Sequence, residues 1–463
     1  MDTLCIVNDD PATKHKQIAL MDVIYSIAVF TIAAVSSKDA SQAIPGVFED
    51  SRPYAYAKFA PDFALVAFPG PESSSLSWST HYESRGWTLQ ERILSQRCLF
   101  VFENVVVLQC QQRLFSEHRG ITYAKKQKDP EVNSVTQYNP MYPLWLCMIR
   151  GERSLFEAAR AYCKLVQLYK QRQLSFKSDA VRAFMGITSR LESYIGGASI
   201  CGIPTALLQY ALLWVKMEMD ERPPTCGFAT WSWASFDGPV LYSPALALLE
   251  LTMKEDRNDV KRQFELLPIS SGKLQTCKDV RPFAQANSKY NRASRSSDPS
   301  VWVEAGKHTL HLHSEMVPLA VFILGANTQN LLSDGLMKDI TCISISDPNM
   351  LPCGVLLGVP PDIDHVSSRF DRVEFMLLSH VKLLEKHSTL TTMGSQMFGT
   401  SRSKLFKDAL NSIERLWGGD ESAFQSVMLI GWRGICAERV CIGFVSARAW
   451  KQMRPIRRCV FLV

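Results

Sequence analysis

The sequence predicts an α/β N-terminal part, then a helical region, then a β-rich C-terminal region of α+β type. Three observations carry this. Residues 1–35 read strand–helix–strand. Between about residues 145 and 220, apolar residues recur at helical spacing. From His308 onward, short β-branched runs alternate with turn-forming residues.

Leu4-Cys5-Ile6-Val7 reads as a short buried strand, ended by Asn8-Asp9-Asp10-Pro11. Asp10 is placed to cap the following helix and Pro11 to occupy its first position, where a missing N–H costs nothing. Ile18, Met21, Ile24, Tyr25 and Ala28 then recur on one helical face, and Val29–Val35 is β-branched enough to be the next strand. This order points to a layer of helices on a parallel sheet. Residues 36–80 are rich in Ser, Pro and Gly and read as a long, mostly loop-like excursion. A short helix over Trp87–Glu91 follows. Cys98–Phe102 and Val105–Cys110 then flank Glu103-Asn104 as a hairpin, with Asn104 suited to a positive φ.

Leu155–Tyr169 and Leu207–Met219 carry the apolar stripes of packed helices. Residues 252–300 are polar and charged and read as a linker or insertion. Seven later runs read as strands: His308–Leu324, Ile340–Ile345, Val355–Val359, Val373–Leu378, Val427–Trp432, Val440–Val445 and Arg458–Val463. The expected boundaries are 1–118, 119–250 for the helical region ending in a Trp-Ser-Trp block, 251–305 for the linker, and 306–463.

Composition excludes some function classes. With 463 residues, 46% apolar and 21% charged, the chain has the balance of a globular protein with a sizeable core. The formal charge of +6 is small for this length and forms no basic run, so no nucleic acid is expected as partner. The basic end (Arg448, Lys451, Arg454, Arg457, Arg458) reads as a solvated face. Thirteen cysteines occur without a CxxC pair, as in a reducing compartment. The longest apolar run, Val23–Val35, is too short to span a bilayer, and the acidic start lacks a signal peptide. A cytoplasmic protein without a membrane partner is expected.

The most informative stretch is Arg85-Gly86-Trp87-Thr88-Leu89-Gln90-Glu91-Arg92. Residues at i and i+4 share a helix face, so Trp87 and Glu91 wall the same small site. Gly86 gives the backbone freedom to enter that helix sharply. Read alone, a Trp on a short helix belongs to a core and a Glu beside an Arg is a surface or capping pair.

Ser84–Val101 resembles the central motif of the fungal heterokaryon-incompatibility (HET) domain. Leu4–Asp10 resembles the end of that family's strand motif, with Asn8 in place of its glutamine, and the helix through Met21, Ile24, Tyr25 and Ala28 resembles the one that follows. Beyond the domain, Tyr169, Arg172, Leu174, Asp179, Ala183, Gly186 and Ile187 resemble a helical region of many members, and Phe228–Val240 a Trp-Ser-Trp-Ala-Ser block. Glu438, Arg439, Val440 and Gly443 fit the closing strands. The earlier strand motif of the family, a Leu-Ser-Tyr-type segment ending in Trp-Gly, has no counterpart here. The chain is therefore expected to be N-terminally truncated relative to the family, as an incomplete gene model or a degenerate copy.

The resemblance implies a fold similar to TIR domains, some of which cleave NAD and place their glutamate four residues after a Trp. It makes the N-terminal part an α/β TIR-like remnant. It implies Glu91 as the carboxylate, Trp87 as the stacking aromatic, and Arg85 or Arg92 on phosphates. No cofactor would be bound, and NAD would be the substrate. The function implied is non-self recognition and programmed cell death, with protein partners in incompatibility signalling and a homo-oligomer. Two other classes stay open: a non-catalytic signalling or scaffold module, and a degenerate truncated copy without activity.

Other motifs favour structure. His311 and His313 of His308-Thr309-Leu310-His311-Leu312-His313 alternate onto one strand face without a Cys or carboxylate at ligand spacing. Cys436 and Cys441 are wrongly spaced for zinc. Trp231 and Trp233 are expected on one side of a strand, buried. Asp9-Asp10 suits a metal or ribose hydroxyl, but a helix cap explains Asp10 without either.

Overall fold

The structure, a computed structural model, describes residues 9–37, 39, 41–47, 55–61, 63–67, 80–103, 105–110, 113–117, 120–123, 141–151, 154–217, 227–242, 245, 261–262, 265–266, 309–327, 342–360, 363–382 and 423–463. It mixes helix and strand, with a large β-sheet in the C-terminal part. Two compact units emerge, residues 1–218 with 236–253, and residues 219–235 with 254–463.

In the first unit, helix α1 spans Pro11–Ala19. As expected, the Asp10 carboxylate caps it by accepting from the Ala12 N–H at 3.1 Å, and Pro11 opens it. Helix α2 (Met21–Ile27) leads into strand β1 (Thr31–Ala34), the heart of the expected Val29–Val35 strand. Strands β2 (Ala55–Ala60) and β3 (Phe63–Ala67) form an antiparallel hairpin. This hairpin was not foreseen within the mostly loop-like stretch 36–80, because Ser, Pro and Gly averaged over it hide the short runs of Ala, Tyr, Phe and Val that pair.

Helix α3 (His81–Ser84) and helix α4 (Trp87–Leu94) precede β4 (Arg97–Val101), β5 (Val106–Cys110), β6 (Arg113–Ser116) and β7 (Gly120–Tyr123). The five-stranded sheet runs β1-β4-β5-β6-β7. Only β1 and β4 are parallel; β4 to β7 form an antiparallel meander. Among the described strands, the expected parallel layer is thus limited to the β1–β4 pair. Short links between β4 and β7 allow hairpins only, whereas parallel pairing needs the long crossover that separates β1 from β4. The β4–β5 hairpin stands as expected, while Leu4–Val7 and Asn104 lie outside the described residues. One face of the sheet holds a core of Ala33, Cys98, Phe100 and Val107, packed with Tyr82.

Helices α5 (Tyr142–Ile149), α6 (Leu155–Lys170) and α7 (Arg182–Ile195) complete the unit. The α6 stripe buries Ala158, Tyr162, Leu165, Val166 and Tyr169, and α7 buries Phe184, Ile187 and Leu191. Their aromatic rings meet edge-on, Tyr162 against Phe184 at 6.3 Å between centroids. Over its described residues, 207–217, the expected Leu207–Met219 helix does not form. Thr205–Leu207 is a 3₁₀ turn, Leu208–Ala211 a single helical turn, and Val215–Lys216 pairs antiparallel with Val240–Leu241. Every residue from Leu207 to Val215 is buried, Gln209 included, so no open polar face opposes a buried one to hold a long helix.

The second unit is a sheet closed on itself. Its strands are β8 (Leu310–Pro318), β9 (Ile323–Asn327), β10 (Cys342–Ser346), β11 (Pro352–Leu357), β12 (Arg372–Lys382), β13 (Ala423–Arg433), β14 (Cys436–Ser446) and, after helix α8 (Ala447–Gln452), β15 (Ile456–Leu462). Pairing runs β8–β12–β13–β14–β15 and back to β8, and β11, β10 and β9 extend from β14. The expected His308–Leu324 strand is broken after Pro318 by a 3₁₀ turn, Leu319–Val321. Alternate residues fill one core (Val317, Phe375, Leu377, Val427, Leu429), yet the intervening Met316, Met376, Met428 and Ile442 are also buried. Burial on both faces explains why these strands read as continuous apolar runs. Lys261–Arg262 and Glu265–Leu266, within the expected linker, pair onto β12 and β8.

Trp231 and Trp233 are wholly buried, but Trp233–Ser235 is a 3₁₀ turn and not the expected strand. Ser232 Oγ accepts from the Ala234 N–H at 3.1 Å, and Ser235 Oγ donates to Ser232 O at 2.7 Å. Such local side-chain bonds compete with a strand ladder. Thr230 N–H bonds the Val463 carbonyl, so the block lies against the last strand of its own unit.

Candidate functional site

Helix α4 is built from good helix formers, Leu, Gln, Glu and Arg among them. It enters from an extended Arg85 (φ −86°, ψ 135°) through Gly86 and ends at Ser95. Gly86 itself is helical (φ −63°, ψ −43°), so the expectation that it supplies backbone freedom is corrected. Its missing side chain is what matters. A Cβ here would lie 2.5 Å from Leu174 Cδ2 and 3.3 Å from the Tyr169 ring.

Thr88, Leu89, Gln90, Arg92, Ile93 and Leu94 are buried, while Trp87 and Glu91 are half-buried. The helix therefore presents to the outside one narrow face, and it carries the two residues four apart. At 1.5 Å rise per residue they stand roughly 6 Å apart along the axis. Arg85 is exposed just ahead of them. Arg92 is turned inward: Nη1 donates to Glu83 Oε1 at 2.6 Å, and the guanidinium lies 5.5 Å from the Phe100 ring centroid. Trp87 and Glu91 thus share one face, Arg85 lies exposed just ahead of the helix, and Arg92 goes into an internal ion pair.

That ion pair is part of a larger network. The second Glu83 oxygen accepts from Arg172 Nη2. Arg172 Nη1 donates to Thr88 Oγ1 at 2.9 Å and to Arg85 O at 3.2 Å. Burial lowers the Arg172 pKa, and the Glu83 charge opposes that shift. Tyr82 meets Phe100 edge-on at 6.5 Å. Burial, with Glu91 adding to it, holds the Tyr82 phenol well above its usual range. The Cys98 thiol is pushed up to about 11 by burial. Both are neutral at physiological pH and poor nucleophiles. At the far end Ser95 Oγ donates to Glu91 O at 2.6 Å and meets Thr31 Oγ1 at 2.7 Å, tying the helix to β1.

Glu83, Thr88 and Arg172 escaped the sequence reading as site residues. Arg172 lies far along the chain, and a long-range ion pair leaves no local periodicity. His311 and His313 lie on strand β8 as expected. Among the described residues no three His, Cys, Asp or Glu side chains form a metal-holding group. No helix among them is long and apolar enough to cross a membrane.

A mixed sheet with a parallel β1–β4 pair, covered by a helix that exposes a Trp/Glu face, defines an α/β domain with its candidate site on that helix. Residues 1–91 match the family model described as Heterokaryon incompatibility protein (HET), and this stretch of the chain carries a HET domain. The match includes Trp87 and Glu91 and stops short of Arg172. Neither curated proteins nor solved structures give a match.

Proposed function

We propose that this incompatibility-type protein acts in fungal non-self recognition and programmed cell death by cleaving NAD, with its N-terminal part TIR-like. The observation that carries the reading is the helix face: on an otherwise buried helix, Trp87 and Glu91 alone are half open, and they are stacked one turn apart. In this reading Trp87 stacks on the nicotinamide ring and Glu91 lies by the ribose. The bond from the ribose anomeric carbon to the ring nitrogen breaks, and its electron pair leaves with the now neutral nicotinamide, so no general acid is required. The Glu91 carboxylate stabilises the oxocarbenium-like transition state. Water then adds to that carbon and releases a proton. Arg85 is the arginine the geometry leaves for a phosphate, since Arg92 is held by Glu83. Its partners are proteins of incompatibility signalling, a second copy of the chain among them, in the cytoplasm.

The test is NAD turnover by the purified protein beside Glu91→Ala. Loss of about two orders of magnitude or more in kcat, with folding intact, is expected from removing a transition-state carboxylate. Equal turnover in the two proteins would sink the assignment. The internal commitment of Arg92 favours a second reading, a non-catalytic signalling module that binds partners. Cell death that survives Glu91→Ala would select it.

A further inference from the structure

We infer that Arg172 positions the Trp87–Glu91 helix, and that the segment from Tyr169 to Gly186, beyond the family match, is a working part of the candidate site. As to catalysis, the inference rests on the NAD-cleavage reading above; as to geometry, it stands alone. Helix α4 starts at a glycine that offers no side-chain cap. Its entry is held from outside instead. Gly86 N–H donates to Gln173 O at 2.8 Å, and Gln173 N–H donates to Ser84 O at 2.6 Å, so Arg85 and Gln173 lie side by side like two parallel strands.

One guanidinium then grips three points around that entry: the Glu83 carboxylate before it, the Arg85 carbonyl at it and the Thr88 hydroxyl in the first turn. A planar guanidinium suits this fan of acceptors, whereas an ammonium is a point charge without fixed geometry. Leu174 and Tyr169 press on Gly86, and Gly186 lies against Gln90 Oε1 and Leu94, a Cβ there coming within 2.9 Å of each. The far end is fixed separately, through Ser95 and Thr31. Loosening Arg172 therefore moves the Trp87 end of the face and leaves the Glu91 end in place.

The test uses the full chain with Arg172→Met, Arg172→Lys and Thr88→Val. Hydrogen exchange is followed at the amides of Gly86, Leu89 and Gln173, all bonded here. Exchange roughly tenfold faster or more is expected in Arg172→Met. Arg172→Lys should recover global stability but not this local protection, because it restores the charge and not the three-point grip. Should the Met variant not fold, Thr88→Val asks the same question without removing a charge. In turnover, KM for NAD should rise roughly tenfold with a smaller fall in kcat. A merely unfolded fraction would lower apparent kcat and leave KM alone. Wild-type protection in the folded Met or Val variant overturns the inference. An inactive wild type sinks the NAD reading instead, and the exchange data still judge Arg172.

Discussion

Gly86 shows how one missing methyl decides a local geometry. Its backbone is ordinary helix, so alanine fits the dihedrals and would gain in helix propensity. The Leu174 side chain 2.5 Å from the new Cβ outweighs that gain. Gly86→Ala should lose about 1–3 kcal/mol in denaturant unfolding. Leu174→Ala in the same background should lessen the penalty, and a variant as stable as wild type would show that Leu174 swings aside freely. Lys170 is a second decisive residue. It closes α6 with its ammonium donating to Phe236 O, and burial lowers its pKa to about 8, with Asp237 opposing and Lys177 assisting. Between that value and the ordinary lysine range near 10.5, the unfolded chain binds the extra proton. Stability should therefore rise with pH across this window through Lys170. The urea midpoint of Lys170→Met should show less of that rise than wild type; parallel curves would deny the residue its role.

Elements were legible where one face is buried and one is open. Helices α1, α4 and α6 carry that contrast, and each stood where periodicity or capping put it. Legibility failed where a segment is buried all round. Leu207–Val215 and the Trp231–Ser235 block have no open polar face to set a period, so packing chooses their backbone. The Trp-Ser-Trp turn is where that packing can be probed. Trp233 is fully buried and its turn is bonded by its own serines. Trp233→Ala should cost about 3–5 kcal/mol, read from denaturant curves. A loss below about 1 kcal/mol would mean that the turn collapses to fill the space.

Across the whole molecule, sequence reasoning placed the later strands well, because β-branched runs bounded by turn residues are local signals. It missed the β2–β3 hairpin and could not foresee that β12 to β15 and β8 form a closed ring. Closure depends on pairings between residues far apart in the chain, such as Leu310 with Leu462. The HET match of residues 1–91, the capped first helix and the shared face of Trp87 and Glu91 were legible in the sequence alone, since each rests on short local motifs. The direction of most sheet pairings, the burial of Arg92 against Glu83, the true role of Gly86 and the grip of Arg172 were decided only by tertiary structure. Each is a contact between segments separated in the chain or facing inward, and no local pattern encodes which distant partner a side chain meets.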